Sequence, residues 1–325
     1  MRTPFAAATL VLLLAVAACG GGTAATSSPS DSPTPTFSPK PTPSPSPTPS
    51  PSPTPSPTPA PVLASINLSG SQPKQGGFLI VRLANAPQQL VAPMAYVYAK
   101  GYDLSLSEAD GDLYTYIGLP TDAALGDHPV EVWDGDTMLA STSVTIADGA
   151  FDHVSFDVPP DSTALLLDQN AVDAERAQIA SIESVVTPTR YWSGPWIIPT
   201  TGITASNFGE MRSENGGAYF PHTGVDIANA AGTPVYAAAD GVVASATAMY
   251  LFGNLAIIDH GVGVFSAYAH LQSFAVQAGQ NVRKGDLIGY MGQSGYVTGP
   301  HLHWEAIVHG VRVDARLFTL GGEEP

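Results

Sequence analysis

Cysteine is nearly absent: Cys19 is the only one in 325 residues, so no disulfide can form within the chain. Basic residues are also scarce, 12 Lys and Arg against 28 Asp and Glu, for a formal net charge of -16. Phosphate binding calls for clustered Lys and Arg, so a nucleic-acid partner is excluded. The acidic excess lies mostly between Val62 and Thr189, in clusters such as Glu108, Asp110 and Asp112, and reads as a solvated surface that aids solubility. Long apolar runs are missing too. The one at the start, Leu10 to Ala17, falls short of the roughly 20 residues that a membrane-spanning helix needs.

What that first segment does carry is an address. Arg2, the short apolar core and a small-residue approach to Cys19 predict a secretory signal over residues 1–18. The tetrapeptide Val16-Ala17-Ala18-Cys19 resembles the lipobox of bacterial lipoproteins, which implies that Cys19 becomes the N-terminus and carries lipid on its thiol. Two acyl chains give a stable anchor where one binds only marginally. Residues 19–61 continue with a tract of Pro, Ser and Thr that includes SPTPSPSPTPSPTPAP. Proline fixes φ and withholds a backbone donor, so this tract predicts an extended polyproline stalk. At about 3.1 Å per residue, roughly thirty residues reach on the order of 90 Å.

The texture changes at Val62. Over residues 62–160 short apolar or alternating runs recur: Ala64 to Leu68, Phe78 to Leu83, Ala95 to Ala99, Leu113 to Ile117, His128 to Trp133, Met138 to Ile146 and Val154 to Val158. Asp134-Gly135 between two of them is a hairpin signal of type I′. This spacing predicts a small antiparallel, immunoglobulin-like β-sandwich. Its histidines, His128 and His153, stand singly and read as surface or core residues. Residues 161–191 form a linker. Within it Asp168 to Val186 places Val172, Ile179, Ile182 and Val186 at helical spacing, with Asp168 or Asn170 as cap and Pro188 beyond the end. From 192 to 320 strands recur with a glycine at almost every corner, which predicts a highly turned β domain, followed by a tail at 321–325.

Five residues in this last domain carry the chemistry: His222, Asp226, His270, His301 and His303. In a strand, alternate residues face one way, so His301 and His303 point into a single groove. His222 and Asp226 flank Gly224, and that short excursion can turn a nitrogen and an oxygen towards one point. Zinc accepts imidazole and carboxylate ligands, and its catalytic sites use three protein ligands with a fourth position left for water. Spacing alone leaves open which histidine of the 301/303 pair binds metal.

The segments His222-Thr-Gly-Val-Asp226, Tyr268-Ala-His270-Leu271 and Gly299-Pro-His301-Leu-His303 resemble the motifs of the lysostaphin/LytM-type zinc metallopeptidases. Phe208-Gly209, Arg212, Gly232-Thr-Pro-Val235, Asp240-Gly241, Asp259-His260-Gly261 and Lys284 to Gly289 are similar as well, over roughly residues 200 to 315. The resemblance implies a glycine-rich antiparallel fold of the duplicated hybrid motif type and one zinc ion held by His222, Asp226 and His303. It further implies His270 and His301 as catalytic histidines and the peptide crosslinks of bacterial peptidoglycan as substrate. His260 belongs to a turn motif and reads as structural, and His309 carries no functional argument. Ala315, where the family often has proline, and the stretch SENGGAYFP bear on substrate fit. The expectation is a monomeric, lipid-anchored zinc endopeptidase facing the wall from outside the cytoplasm. The alternative is a non-catalytic wall-binding regulator of other hydrolases, which family members become when they lose metal ligands.

Overall fold

The computed structural model describes residues 63–69, 73–106, 111–158 and 164–321. The expected signal, Cys19 and the stalk lie outside these residues. Among those described the chain is mainly β, with one α-helix.

Two four-stranded antiparallel sheets make up the first region. One runs in the order Ser65–Ser69, Phe78–Ala84, Leu113–Gly118, Ser105–Leu106; the other runs Lys100–Asp103, Pro93–Val97, Gly126–Asp134, Thr137–Ile146. Alternation decides which side chains meet between them. Leu79, Val81, Leu83 and Ile117 from one sheet join Ala95, Val97, Val130 and Val132 from the other in a shared apolar core. The strand FLIVRLA is apolar on both faces for a reason. Phe78 and Ile80 point the opposite way, into a second core with Trp192, Trp196 and Phe318 of the C-terminal region. Phe78 stacks on Phe318 at 4.4 Å between ring centroids. The sandwich is thus welded to the C-terminal region through a buried sheet face.

Local departures have local causes. The single run Ala95 to Ala99 is a hairpin, because Tyr98 and Ala99 both take positive φ, 53° and 59°, with no glycine to announce the turn. The turn expected at Asp134-Gly135 falls one residue later, on Gly135-Asp136, since Asp134 still pairs with Thr137. Only Gly135 of the two has positive φ, 57°, which suits type II′ rather than I′. The Asp134 carboxylate, freed from the turn, accepts hydrogen bonds from the backbone N–H of Val91 and Ala92. His153–Phe156 leaves the sandwich and pairs in parallel with Met211–Glu214 of the C-terminal region.

The helix spans Gln169–Glu183, with the Asp168 carboxylate accepting from Ala171 N–H as its cap. Its buried face is Val172, Glu175, Ile179 and Glu183, while Val186 lies beyond it and is exposed.

The C-terminal region is built on a ten-stranded antiparallel sheet. Its main path runs Ile203–Ser206, Val225–Ala228, His301–Val308, Val264–Phe274, Asn254–Gly261, Gly241–Ala248, Asn281–Val282. The long central strands are almost wholly buried on both faces, which is why HLHWEAIV and VFSAYAHL read as near-continuous apolar runs. Trp304 and Tyr268, opposite one another, anchor the face away from the histidines.

Candidate metal centre

Register places the first ligand pair. Val225–Ala228 pairs with His301–Val308 so that Asp226 lies opposite His303, and directly opposed residues project to the same face. His301, two residues before His303, shares that face. His222 enters from the chain that precedes Asp226. Its approach depends on Gly224: a Cβ there would come within 2.8 Å of His303 Cε1 and 2.6 Å of the Trp304 carbonyl.

Three donor atoms converge. His222 Nε2 is 3.0 Å from His303 Nδ1 and 3.1 Å from Asp226 Oδ1, and His303 Nδ1 is 2.9 Å from the same oxygen. Three donors bound to one zinc at about 2.1 Å in a tetrahedron would lie roughly 3.4 Å apart, so this slightly tighter triangle would take such an ion with a small outward shift of its donors. His222, Asp226 and His303 are all buried, and among the described residues they form the one His/Asp cluster with that geometry.

Each donor is oriented by its other polar atom, as metal ligands generally are. His222 donates Nδ1–H to the Asn207 carbonyl at 2.8 Å, which turns Nε2 inward. Asp226 Oδ2 accepts from Arg212 Nη2 at 2.7 Å, leaving Oδ1 for the centre. His303 donates Nε2–H to Glu305 Oε1 at 3.0 Å. Burial works against the charge on these groups, and their partners reverse it. For Asp226, burial would raise the pKa, but the His222 and His303 imidazoles beside it hold it well below the usual carboxylate range. Burial alone would lower His303, yet Asp226 and Glu305 on its two sides push it up to about 9. The site is therefore a place prepared for positive charge, which a proton on His303 or a cation can supply.

His270 reaches the same face by a distortion. Between the pairs Asn254↔Leu271 and Ala256↔Tyr268, Leu255 alone faces both Ala269 and His270, which is a β-bulge. His270 sits there at φ 61°, a left-handed conformation that costs a non-glycine residue about 1–2 kcal/mol. Its ring lies 4.9 Å from that of His301 and 5.9 Å from that of His303, centroid to centroid. His270 donates Nδ1–H to the Ser294 carbonyl at 2.9 Å, and His301 donates Nδ1–H to Gly299 at 2.9 Å. Both rings are thereby fixed as Nδ1–H tautomers with Nε2 free. His301 Nε2 is 3.8 Å from Asp226 Oδ1, on the edge of the triangle.

All five predicted residues are brought together. The remaining histidines are elsewhere. His260 is fully buried, bonded to the Asp240 carbonyl and Ser266 hydroxyl. His309 packs on Tyr102 of the sandwich, His128 on Tyr98 and His153 on Tyr219. Motif reading gave no role to Asn207, Ser294, Glu305 or Arg312. Glu305 alone had a signal: it continues the alternation His301, His303, Glu305 as a charged residue in an apolar strand.

Known proteins are similar to this chain in sequence and in fold. Peptidoglycan DD-endopeptidase ShyA of Vibrio cholerae serotype O1 is 46% identical over 95 residues, 29% of this chain and 22% of ShyA. DD-carboxypeptidase/endopeptidase Mpg of Neisseria meningitidis serogroup B is 48% identical over 93 residues, 29% of this chain and 21% of Mpg. The chain thus spans about a fifth of the length of these curated relatives. A Pseudomonas aeruginosa crystal structure assigned to peptidase M23 aligns over 77% of this chain and 96% of that one, with a TM-score of 0.60 and 25% identity. Residues 220–315 match the model of Peptidase family M23. That segment holds His222, Asp226, His270, His301 and His303, and through it the chain carries a domain of peptidase family M23.

Proposed function

We propose that this protein is a zinc metalloendopeptidase that hydrolyses peptide crosslinks of bacterial peptidoglycan, with His222, Asp226 and His303 holding the ion. The observation that carries this reading is the triangle of donors, 2.9 to 3.1 Å on a side, with two further histidines beside it whose Nε2 atoms are free. Bound there, zinc would lower the pKa of water towards about 7 and polarise the scissile carbonyl.

The protein's own groups do the rest. Burial first, and the neighbouring His303 and His301, pull His270 down to about 3, so it is a neutral base at physiological pH. Its Nε2 can take the proton of an attacking water, and the Ser294 carbonyl keeps the ring from turning away. His301, less deeply buried, lies against Asp226 with its Nε2 free and can accept a hydrogen bond that orients the water, while the proton taken up by His270 passes on to the departing amine. The names of the relatives support the substrate class: ShyA and ShyC are called peptidoglycan DD-endopeptidases. Within the same reading, Cys19 carries the lipid and residues 19–61 the stalk, holding a monomeric enzyme outside the cytoplasm within reach of the wall.

The decisive experiment combines metal analysis of the purified protein with mass spectrometry of fragments released from defined peptidoglycan. One zinc per chain and cleaved crosslink peptides are expected. No bound zinc together with no released crosslink peptides would overturn the site and favour the non-catalytic regulator.

A further inference from the structure

The helix Gln169–Glu183 buries two glutamates, which is a costly choice for a face that only packs. Glu175 and Glu183 are 5% and 4% exposed, beside Val172 and Ile179. An isolated buried carboxylate costs several kcal/mol, so each needs a partner. Both partners lead to the metal centre.

Position in the sheet explains how. His303, Glu305 and Ile307 alternate on one face of their strand. Ile179 of the helix packs in a cluster with Ile307, Phe265, Ala267 and Ala269, so the helix lies on the face from which the histidines project. Between Ile307 and His303 stands Glu305, 1% exposed. Glu183 takes Arg312 in a two-pronged contact, Nη1 at 2.8 Å and Nη2 at 2.7 Å. Arg312 Nε reaches Glu305 Oε2 at 3.4 Å, and Glu305 Oε1 holds His303 Nε2 at 3.0 Å. The chain of contacts is Glu183, Arg312, Glu305, His303. Such a fork fixes direction as well as charge, since two parallel N–H bonds leave the guanidinium one orientation.

The second glutamate serves the other histidines. Glu175 Oε2 accepts the Leu251 N–H at 2.8 Å. The next carbonyl, that of Phe252, accepts the His270 N–H at 2.9 Å, across the bulge that holds His270 at positive φ. Leu251 in turn accepts from Tyr296 N–H at 2.7 Å, two residues after Ser294, whose carbonyl orients the His270 ring. The Phe252 ring lies 5.8 Å from the His303 ring.

We infer that the helix is a positioning element for the site: Glu183, through Arg312 and Glu305, sets the direction in which His303 presents Nδ1, and Glu175, through the Leu251-Phe252 turn, holds His270 in its bulge. This rests on the zinc reading above and assigns to the interdomain segment a task in the chemistry. The two arms separate by readout. Glu183 acts on metal affinity, and Glu175 acts on turnover with the metal in place.

The test measures zinc affinity of the full protein by competition with a chromophoric chelator, kcat and KM on a crosslinked peptidoglycan peptide, and thermal stability of the zinc-free form. Glu183→Gln should weaken zinc binding by up to about 10-fold, less than the 10- to 100-fold range for losing a direct outer partner of a ligand histidine, which here is Glu305. Glu175→Leu, which removes the acceptor at similar volume, should leave zinc affinity unchanged and lower kcat at constant KM. Combining Glu183→Gln with Arg312→Lys should weaken zinc no further than the stronger single variant, because both break one relay. Should Glu183→Gln yield no folded protein, Arg312→Lys tests the same arm, keeping the charge but losing the fork. Reduced stability with wild-type zinc affinity in both Glu183→Gln and Arg312→Lys would show a merely structural helix and overturn the proposal. So would unchanged kcat in Glu175→Leu. Wild-type protein that binds no zinc would instead refute the zinc reading and is told apart by the control alone.

Discussion

The sandwich core and the histidine face of the large sheet are buried to a similar degree but filled with opposite materials. Leu79, Val81, Leu83, Ala95, Val130 and Val132 make the first, with no charge among them. Over the second lie His222, Asp226, His270, His303, Glu305 and Glu183, all less than a tenth exposed, with Arg312 bridging the last two. Burying an aliphatic side chain contributes about 1.5–3 kcal/mol. Burying a charge costs energy unless partners recover it, and a hydrophobic replacement of similar volume is often as stable. The first region is therefore explained by folding. The second is explained by a task that needs fixed charges in a dry place.

That contrast can be broken at either end. The largest effect belongs to His222→Ala, which should abolish zinc binding and hydrolysis together while the protein stays folded. Metal analysis and the peptidoglycan assay on one preparation check it, and full hydrolysis by the metal-free variant would sink the mechanism. Next comes His270→Asn. Asparagine tolerates positive φ, so the bulge and the zinc should persist while kcat falls by about 10²- to 10⁴-fold, the span of a lost acid–base group. In the sandwich the order reverses. Leu83→Ala, at a fully buried position, should lower unfolding free energy by about 2–5 kcal/mol and leave zinc stoichiometry at one, measured by denaturation and metal content.

The smallest effect lies at the seam between the regions. Burial first, and the Lys100 charge second, hold His309 down at about 4, against 6.5 for the free side chain. The unfolded chain then binds a proton that the folded one refuses. Stability from this source is complete above pH 6.5 and is lost as pH falls towards 4, at up to about 1.4 kcal/mol per pH unit. His309→Asn, which suits the φ of 47° there, should reduce the slope of stability against pH in that window by one proton. Urea denaturation between pH 4 and 7 reads it directly. An unchanged slope would mean that His309 is protonated at the seam.

Much of this was legible along the chain because its signals are local. The helix was, since Asp168 and the spacing of Val172 and Ile179 need only neighbours to act. So was the alternation of His301 and His303, which any strand imposes. The hairpin at Tyr98-Ala99 was not, because a bulky residue at positive φ gives no warning and only packing stabilises it. Nor was the destination of His153–Phe156, whose partner strand lies more than fifty residues away. The same holds for Glu175 and Glu183: on a helical wheel they read as polar residues of an acidic segment, and only the position of Arg312 and the Leu251 turn makes them interior.

By itself the sequence determined residue types and local periods: which side chains could bind a metal, which runs could pair and where the chain had to turn. Tertiary structure alone decided the distances. It brought His222 and His303, eighty-one residues apart, to 3.0 Å, bent His270 into a bulge to join them, and turned two helix glutamates inward to hold both in place. The physical reason is that a ligand set depends on ångström-scale separation and on which nitrogen faces inward. Those follow from strand register, the outer hydrogen bonds and the absence of a Cβ at Gly224, all of which are settled only when distant segments pack.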